Sequence, residues 1–157
     1  MTSGARWAAL IAALWAGVLL CIGAIAAPAG FALLLPADAG RVAGRMLAIE
    51  AYMSLVLSML LFAIERKSAR EAAAAGTGSA LSTNIVLLFG ALFCTVAGYF
   101  AIQPMMAAAR AGQGAWSFGA LHAASSSLFV LKGLLVLALA WRLTESKALS
   151  ATPPPSS

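Results

Sequence analysis

One histidine and two cysteines in 157 residues leave little material for metal binding or nucleophilic catalysis. Cys21 and Cys94 both lie in apolar runs, where a free cysteine acts as a small hydrophobe. No Cys-x-x-Cys pair occurs, so neither a disulfide framework nor a zinc or redox motif is expected. A bis-histidine haem is excluded, because His122 has no second histidine to join it. Charge is also scarce. Only 10% of the residues are charged, against about a quarter in soluble domains. A glycine-rich phosphate loop, a His-Glu-x-x-His pair and a nucleophile elbow are all missing. The expectation is a non-enzymatic chain without a resident cofactor.

What the sequence has instead is apolar mass: 62% of it is hydrophobic. A soluble fold of this size could not hide so much apolar surface. A helix needs about 20 apolar residues to cross a bilayer, and four segments qualify, over about 7–27, 44–64, 84–106 and 118–141. The reading is an all-α integral membrane four-helix bundle, a single domain over 1–147 with the bilayer as its first partner. The Pro- and Ser-rich tail at 148–157 is expected to be disordered. The first segment has a basic flank and ends Ala-Ile-Ala-Ala-Pro-Ala, which imitates a cleavable leader. Its apolar run is longer than a leader's and three further spans follow, so it is expected to remain as a helix.

The formal net charge of +5 does not point to nucleic acid, because the basic residues sit between apolar runs rather than on one face. They act as topology signals. With the N-terminus inside, the cytoplasmic face holds Arg6, Arg66, Lys67, Arg70, Arg142 and Lys147, while Arg41, Arg45 and Arg110 lie outside. This bias favours both termini in the cytoplasm. Trp7 and Trp141 then fall at the inner boundary, and Trp116 and Phe118 near the outer one. An outer loop is expected between Ala27 and Gly44, a helical extension over Glu65–Glu71, a flexible turn at Gly76-Thr77-Gly78-Ser79, and a short outer loop at 111–116. The Ala-rich bias suggests the inner membrane of a Gram-negative bacterium.

Ionisable residues inside a span are costly and are functional candidates by default. Three occur: Glu50, His122 and Lys132. Lys132 lies ten residues before Arg142, roughly 15 Å from the inner end. Glu50 lies about 14 residues before Ile64, roughly 21 Å from the same end. A lysine side chain covers that offset if the helices touch, so a Glu50–Lys132 pair is the hypothesis, as a static neutralising contact or as part of a transport or proton path; if the helices do not touch, the two make no contact. Ser125 and Ser126 share the helical side of His122, and Lys132 projects near the Ser125 direction. Gln103 should lie at the depth of His122. Together these six residues form the candidate intramembrane polar site. Met105, Met106 and His122 are weak candidates for a soft metal, but they show no ligand spacing that defines a site.

These residues also carry a resemblance. Trp15-Ala16-Gly17, Ala27-Pro28 with Phe31, Ala39-Gly40-Arg41, Met46-Leu47, Gln103-Pro104-Met105 and Phe118-Gly119-Ala120-Leu121-His122 with Ser125 or Ser126 follow one another in order over about 15–141. In this the chain resembles the transmembrane protein 205-like family of small four-span membrane proteins, a domain of unknown function. A more distant likeness is to membrane proteins of the copper resistance D type. The resemblance implies four helices in a membrane and no established reaction. The leading expectation is a structural or accessory membrane protein, alone, as a homo-oligomer or with a membrane protein partner. The alternative is a small-solute or metal efflux component using the polar stripe. A transporter would enclose a polar cavity lined by Glu50 and His122, whereas an accessory protein would be packed throughout.

Overall fold

The structure is a computed structural model that describes residues 3–76 and 81–149. Among these, all regular structure is helical. Four helices are long and apolar enough to cross a membrane: α1 (Gly4–Leu33), α2 (Pro36–Ala74), α3 (Thr83–Arg110) and α4 (Phe118–Glu145). The helix that contains α4 continues to Leu149. The expected turn at 76–79 is described only at Gly76, whose φ of 70° suits glycine, and the tail beyond Leu149 lies outside the described residues.

Each helix packs on its chain neighbours, and α1 closes the ring against α4. Thus α1 faces α3, and α2 faces α4, across the diagonals of an up-down bundle. One end of the bundle carries the N-terminus and the α2–α3 connection (the terminal end). The other carries the α1–α2 and α3–α4 connections (the loop end).

The expected loop from Ala27 to Gly44 is corrected by the structure, which keeps α1 helical to Leu33 and begins α2 at Pro36. Only Leu34 and Leu35 separate the two helices, both in extended conformations. Proline explains the break. It forces the residue before it out of helical geometry, and its missing N–H suits the first turn of the next helix. Pro28 and Pro104 sit inside helices, where each would clash with the carbonyl four residues earlier. Those carbonyls, on Ala24 and Phe100, lie in π-helical turns at Ile22–Ala26 and Val96–Ala101. The wider turn absorbs the clash, and both helices continue. The α3–α4 connection matches its expected place and uses Gly112 and Gly114 at φ of 71° and 96°. The charged extension of α2 is helical to Ala74.

The apolar core occupies the terminal half. Ala8, Ala12, Trp15 and Leu19 of α1 pack with Leu61 of α2, Leu88 and Ala91 of α3, and Val136, Leu139 and Leu143 of α4. The small residues of α1 let the helices approach closely. On α2, residues 46–64 separate Arg45 from Glu65 and hold one charge, Glu50. These 19 residues span about 28 Å, close to the hydrocarbon thickness of a bilayer. The outer surface of this zone is apolar on every helix, with Leu14, Val56, Met59, Phe93, Val130 and Leu134 among the exposed side chains.

Candidate functional site

The candidate site begins with a charge that must be neutralised. Glu50 and Lys132 are almost fully buried, with side-chain exposures of 2% and 4%. The Lys132 Nζ donates to Glu50 Oε2 at 2.6 Å, across the α2–α4 diagonal. A long, flexible stem suits this span, because it reaches the interior from a helix that does not touch α2 closely. The other carboxylate oxygen is also engaged. Ser54, one turn along α2, donates its hydroxyl to Glu50 Oε1. The Ser54 Oγ in turn accepts from the Trp15 indole N–H of α1 at 3.1 Å. Trp15, Ser54, Glu50 and Lys132 thus form a continuous buried network that ties three helices together.

Trp15 and Ser54 were missed as site residues. Ser54 carried a usable signal, since it lies four residues after Glu50 and therefore on the same helical side. Trp15 carried none, because its role depends on which helix neighbours α2. A second polar chain also escaped the sequence reading. The Asn84 amide donates to Glu65 Oε2 at 2.7 Å, and Arg142 Nε donates to Asn84 Oδ1 at 3.1 Å. This chain links α2, α3 and α4 at the terminal end. Between the two networks, Ser58 Oγ is the one buried side-chain polar atom among the described residues without a hydrogen-bond partner.

Above the Glu50–Lys132 pair the helices splay around an open-mouthed cavity. It measures about 930 Å³ and occupies the loop half of the bundle. Glu50, Lys132, Cys94 and Thr95 line its deeper part, and both π-helical turns contribute wall residues, Ile22 and Gly23 from α1 and Gly98 and Tyr99 from α3. Gln103, His122, Ser125 and Ser126 line it nearer the loop end, and Arg41, Arg110 and Phe118 line it at that end. All six expected polar-site residues therefore border one space. They do not all touch one another. Glu50 pairs with Lys132, and Ser125 donates to the backbone carbonyl of Gly98 at 2.9 Å. That bond sets α4 against the π-turn of α3, where an added Cβ on Gly98 would stand 3.3 Å from Leu128 Cβ. His122 stacks on Phe118, and the Arg110 guanidinium lies over the same Phe118 ring at 4.5 Å. Arg41 pairs with Asp38 one turn earlier.

The weak metal candidates separate. Met106 borders the cavity with His122, whereas Met105 is exposed and does not. Among the described residues no group of three or more His, Cys, Asp or Glu side chains comes together as a ligand set. Both cysteines are free thiols.

No curated protein and no solved structure matches the chain. A family model does match, over residues 10–115, which is more than half of the 157 residues. The matched stretch holds Trp15, Glu50, Ser54 and Gln103 and ends before α4, so His122, Ser125 and Lys132 lie beyond it. The chain belongs to the family described as a domain of unknown function, DUF4149.

Proposed function

We propose that this chain is a non-enzymatic, multi-pass membrane protein that binds a small solute within its helices, as a component of small-solute transport. The observation that carries this reading is the division of the bundle into a packed half and a hollow half, with the Glu50–Lys132 pair between them. The 930 Å³ cavity joins an apolar wall to a few polar groups, Gln103, His122 and Ser126 among them, which is the usual make-up of a small-molecule site. The apolar outer surface supports insertion in hydrocarbon, since a soluble monomer rarely exposes apolar patches of such extent.

The charge bias supports both termini in the cytoplasm and the cavity facing outward, and the Ala-rich composition supports a bacterial inner membrane. The resemblance to transmembrane protein 205-like proteins, and the distant one to the copper resistance D type, agrees with a small helical membrane protein. Four spans are few for a monomeric carrier, so the proposal includes association of copies.

Cysteine labelling tests this. In a chain with Cys21 and Cys94 replaced by alanine, Ser126→Cys should react with a membrane-impermeant thiol reagent in intact cells. Ser54→Cys, within the packed network, should not. A Ser126→Cys chain that stays unlabelled in both intact and opened membranes would refute the cavity reading. Labelling only after opening the membrane would invert the orientation and leave the cavity standing.

A further inference from the structure

The loop-half cavity has a sign. Its lining holds three Arg and Lys side chains, Arg41, Arg110 and Lys132, and one carboxylate, Glu50, with His122, Tyr99 and Cys94 beside them. Over the Arg, Lys and Glu side chains alone, three cations and one anion give a lining charge of +2 (3 − 1). The carboxylate is already committed, one oxygen to Ser54 and the other to Lys132. A cationic ligand would find no free carboxylate in the lining. The loop end differs. There Arg41 shares its charge with Asp38, while the Arg110 guanidinium meets the Phe118 ring rather than a carboxylate. A cation–π contact leaves most of the guanidinium N–H groups available for an anion. Between the loop end and the pair, Phe31, Met46, Leu47 and Phe129 help to make most of the wall apolar.

From this arrangement we infer that the cavity takes an amphipathic anion, a carboxylate or phosphate head held at the loop end by Arg110 with Arg41, and an apolar body extending toward the Glu50–Lys132 pair. The inference rests on the solute-binding reading above and adds the ligand's charge and polarity. Depth sets the size of the body. From Arg41 to Glu50 is nine residues along α2, about 14 Å, which suits an extended chain rather than a compact ion. Asp38 competes with the ligand for Arg41, so its removal should strengthen binding. The same head chemistry is present in bilayer lipids and in free amphiphiles, and the test separates the two.

The assay is protection of Ser126→Cys from the thiol reagent, with the full chain in nanodiscs of zwitterionic lipid. The probes are dodecanoate, dodecyl phosphate, dodecanol and dodecyltrimethylammonium. Both anions should slow labelling, and the alcohol and the cation should not. Arg110→Gln should weaken protection about tenfold, the loss expected for one charge-assisted contact, and Asp38→Asn should strengthen it. Nanodiscs containing phosphatidylglycerol that protect without any added probe identify a bilayer lipid as the occupant. Protection by free anions alone identifies a diffusible amphiphile. Equal protection by dodecanol, or protection unchanged in Arg110→Gln, overturns the anion assignment and leaves the cavity reading intact. The anion assignment also falls if no probe protects a cysteine that labels freely. A cysteine that never labels overturns both.

Discussion

Replacing Lys132 with methionine removes the cation that neutralises Glu50 while keeping most of the side chain's volume. The two groups are 2.6 Å apart, with side-chain exposures of only 4% and 2%, so each is the main source of the other's neutralisation. Breaking such a pair from one side costs about 3–5 kcal/mol, because the remaining charge is left uncompensated. Glu50→Gln should cost a similar amount, since it strands the ammonium. The double variant should recover most of the loss. It leaves no buried charge, and the amide introduced by Glu50→Gln retains an oxygen for the Ser54 hydroxyl. With about 3–5 kcal/mol lost in each single variant and about 1 kcal/mol in the double, the expected coupling is about 5 kcal/mol or more, read by a double-mutant cycle on reversible unfolding in mixed micelles. Side-chain hydrogen bonds between membrane helices average only about 0.6 kcal/mol in such cycles. A coupling of that size, or additive losses, would refute the argument from buried charge and reduce the pair to an ordinary polar contact.

Three other expectations come from the packing. Ser54→Ala removes the link between Trp15 and Glu50 and should cost about 1–3 kcal/mol, with a shift in the fluorescence assigned to Trp15. Ser58→Ala should instead stabilise the bundle by about 1 kcal/mol, because the buried hydroxyl it deletes has no partner. Gly98→Ala sets a Cβ 3.3 Å from Leu128 Cβ, an atom no rotamer change can move. It should cost about 1–3 kcal/mol by overpacking, whereas Gly44→Ala, with nothing within 4 Å of the new Cβ, should be tolerated. A thermal unfolding series in detergent checks all three.

The four helices were legible because each is a long run almost free of charge, and length and charge are one-dimensional properties. The Glu50–Lys132 contact was legible for a related reason, since an ionisable residue in such a run needs a partner and only a few were at hand. Trp15 and Ser54 were not, because the ring order of the helices decides that α1 and α2 are neighbours while α2 and α4 are not. Glu65, Asn84 and Arg142 read as boundary residues, and only packing shows that they join. The loop at 27–44 failed on proline. Pro28 and Pro36 look alike in sequence, yet one lies within a continuing helix and the other begins a new one. The cavity was foreseen only as what a transporter would need, lined by Glu50 and His122, and its place and extent were not legible, because a void is a property of the gaps between helices.

Proline nevertheless offers a route from sequence to that void. Both π-helical turns end within three residues of a proline, both border the cavity, and the packed half has none among its described residues. A π-turn widens the helix and re-aims the side chains beyond it. Here it redirects the loop-side halves of α1 and α3, which face each other across the bundle. Pro104→Ala restores a backbone N–H and removes the clash with the Phe100 carbonyl, so α3 can return to regular α-helical turns. Proline inside a helix costs about 3 kcal/mol relative to alanine, and the variant should therefore unfold at higher temperature. The same change should slow thiol labelling of Ser126→Cys, because a regular α3 turns Tyr99 and Gln103 relative to α4. Higher stability with unchanged labelling would show that the hollow does not depend on the π-turn. Slower labelling with higher stability would mean that the chain gives up stability at Pro104 to keep its interior open, which is expected of a binding cavity and not of a scaffold.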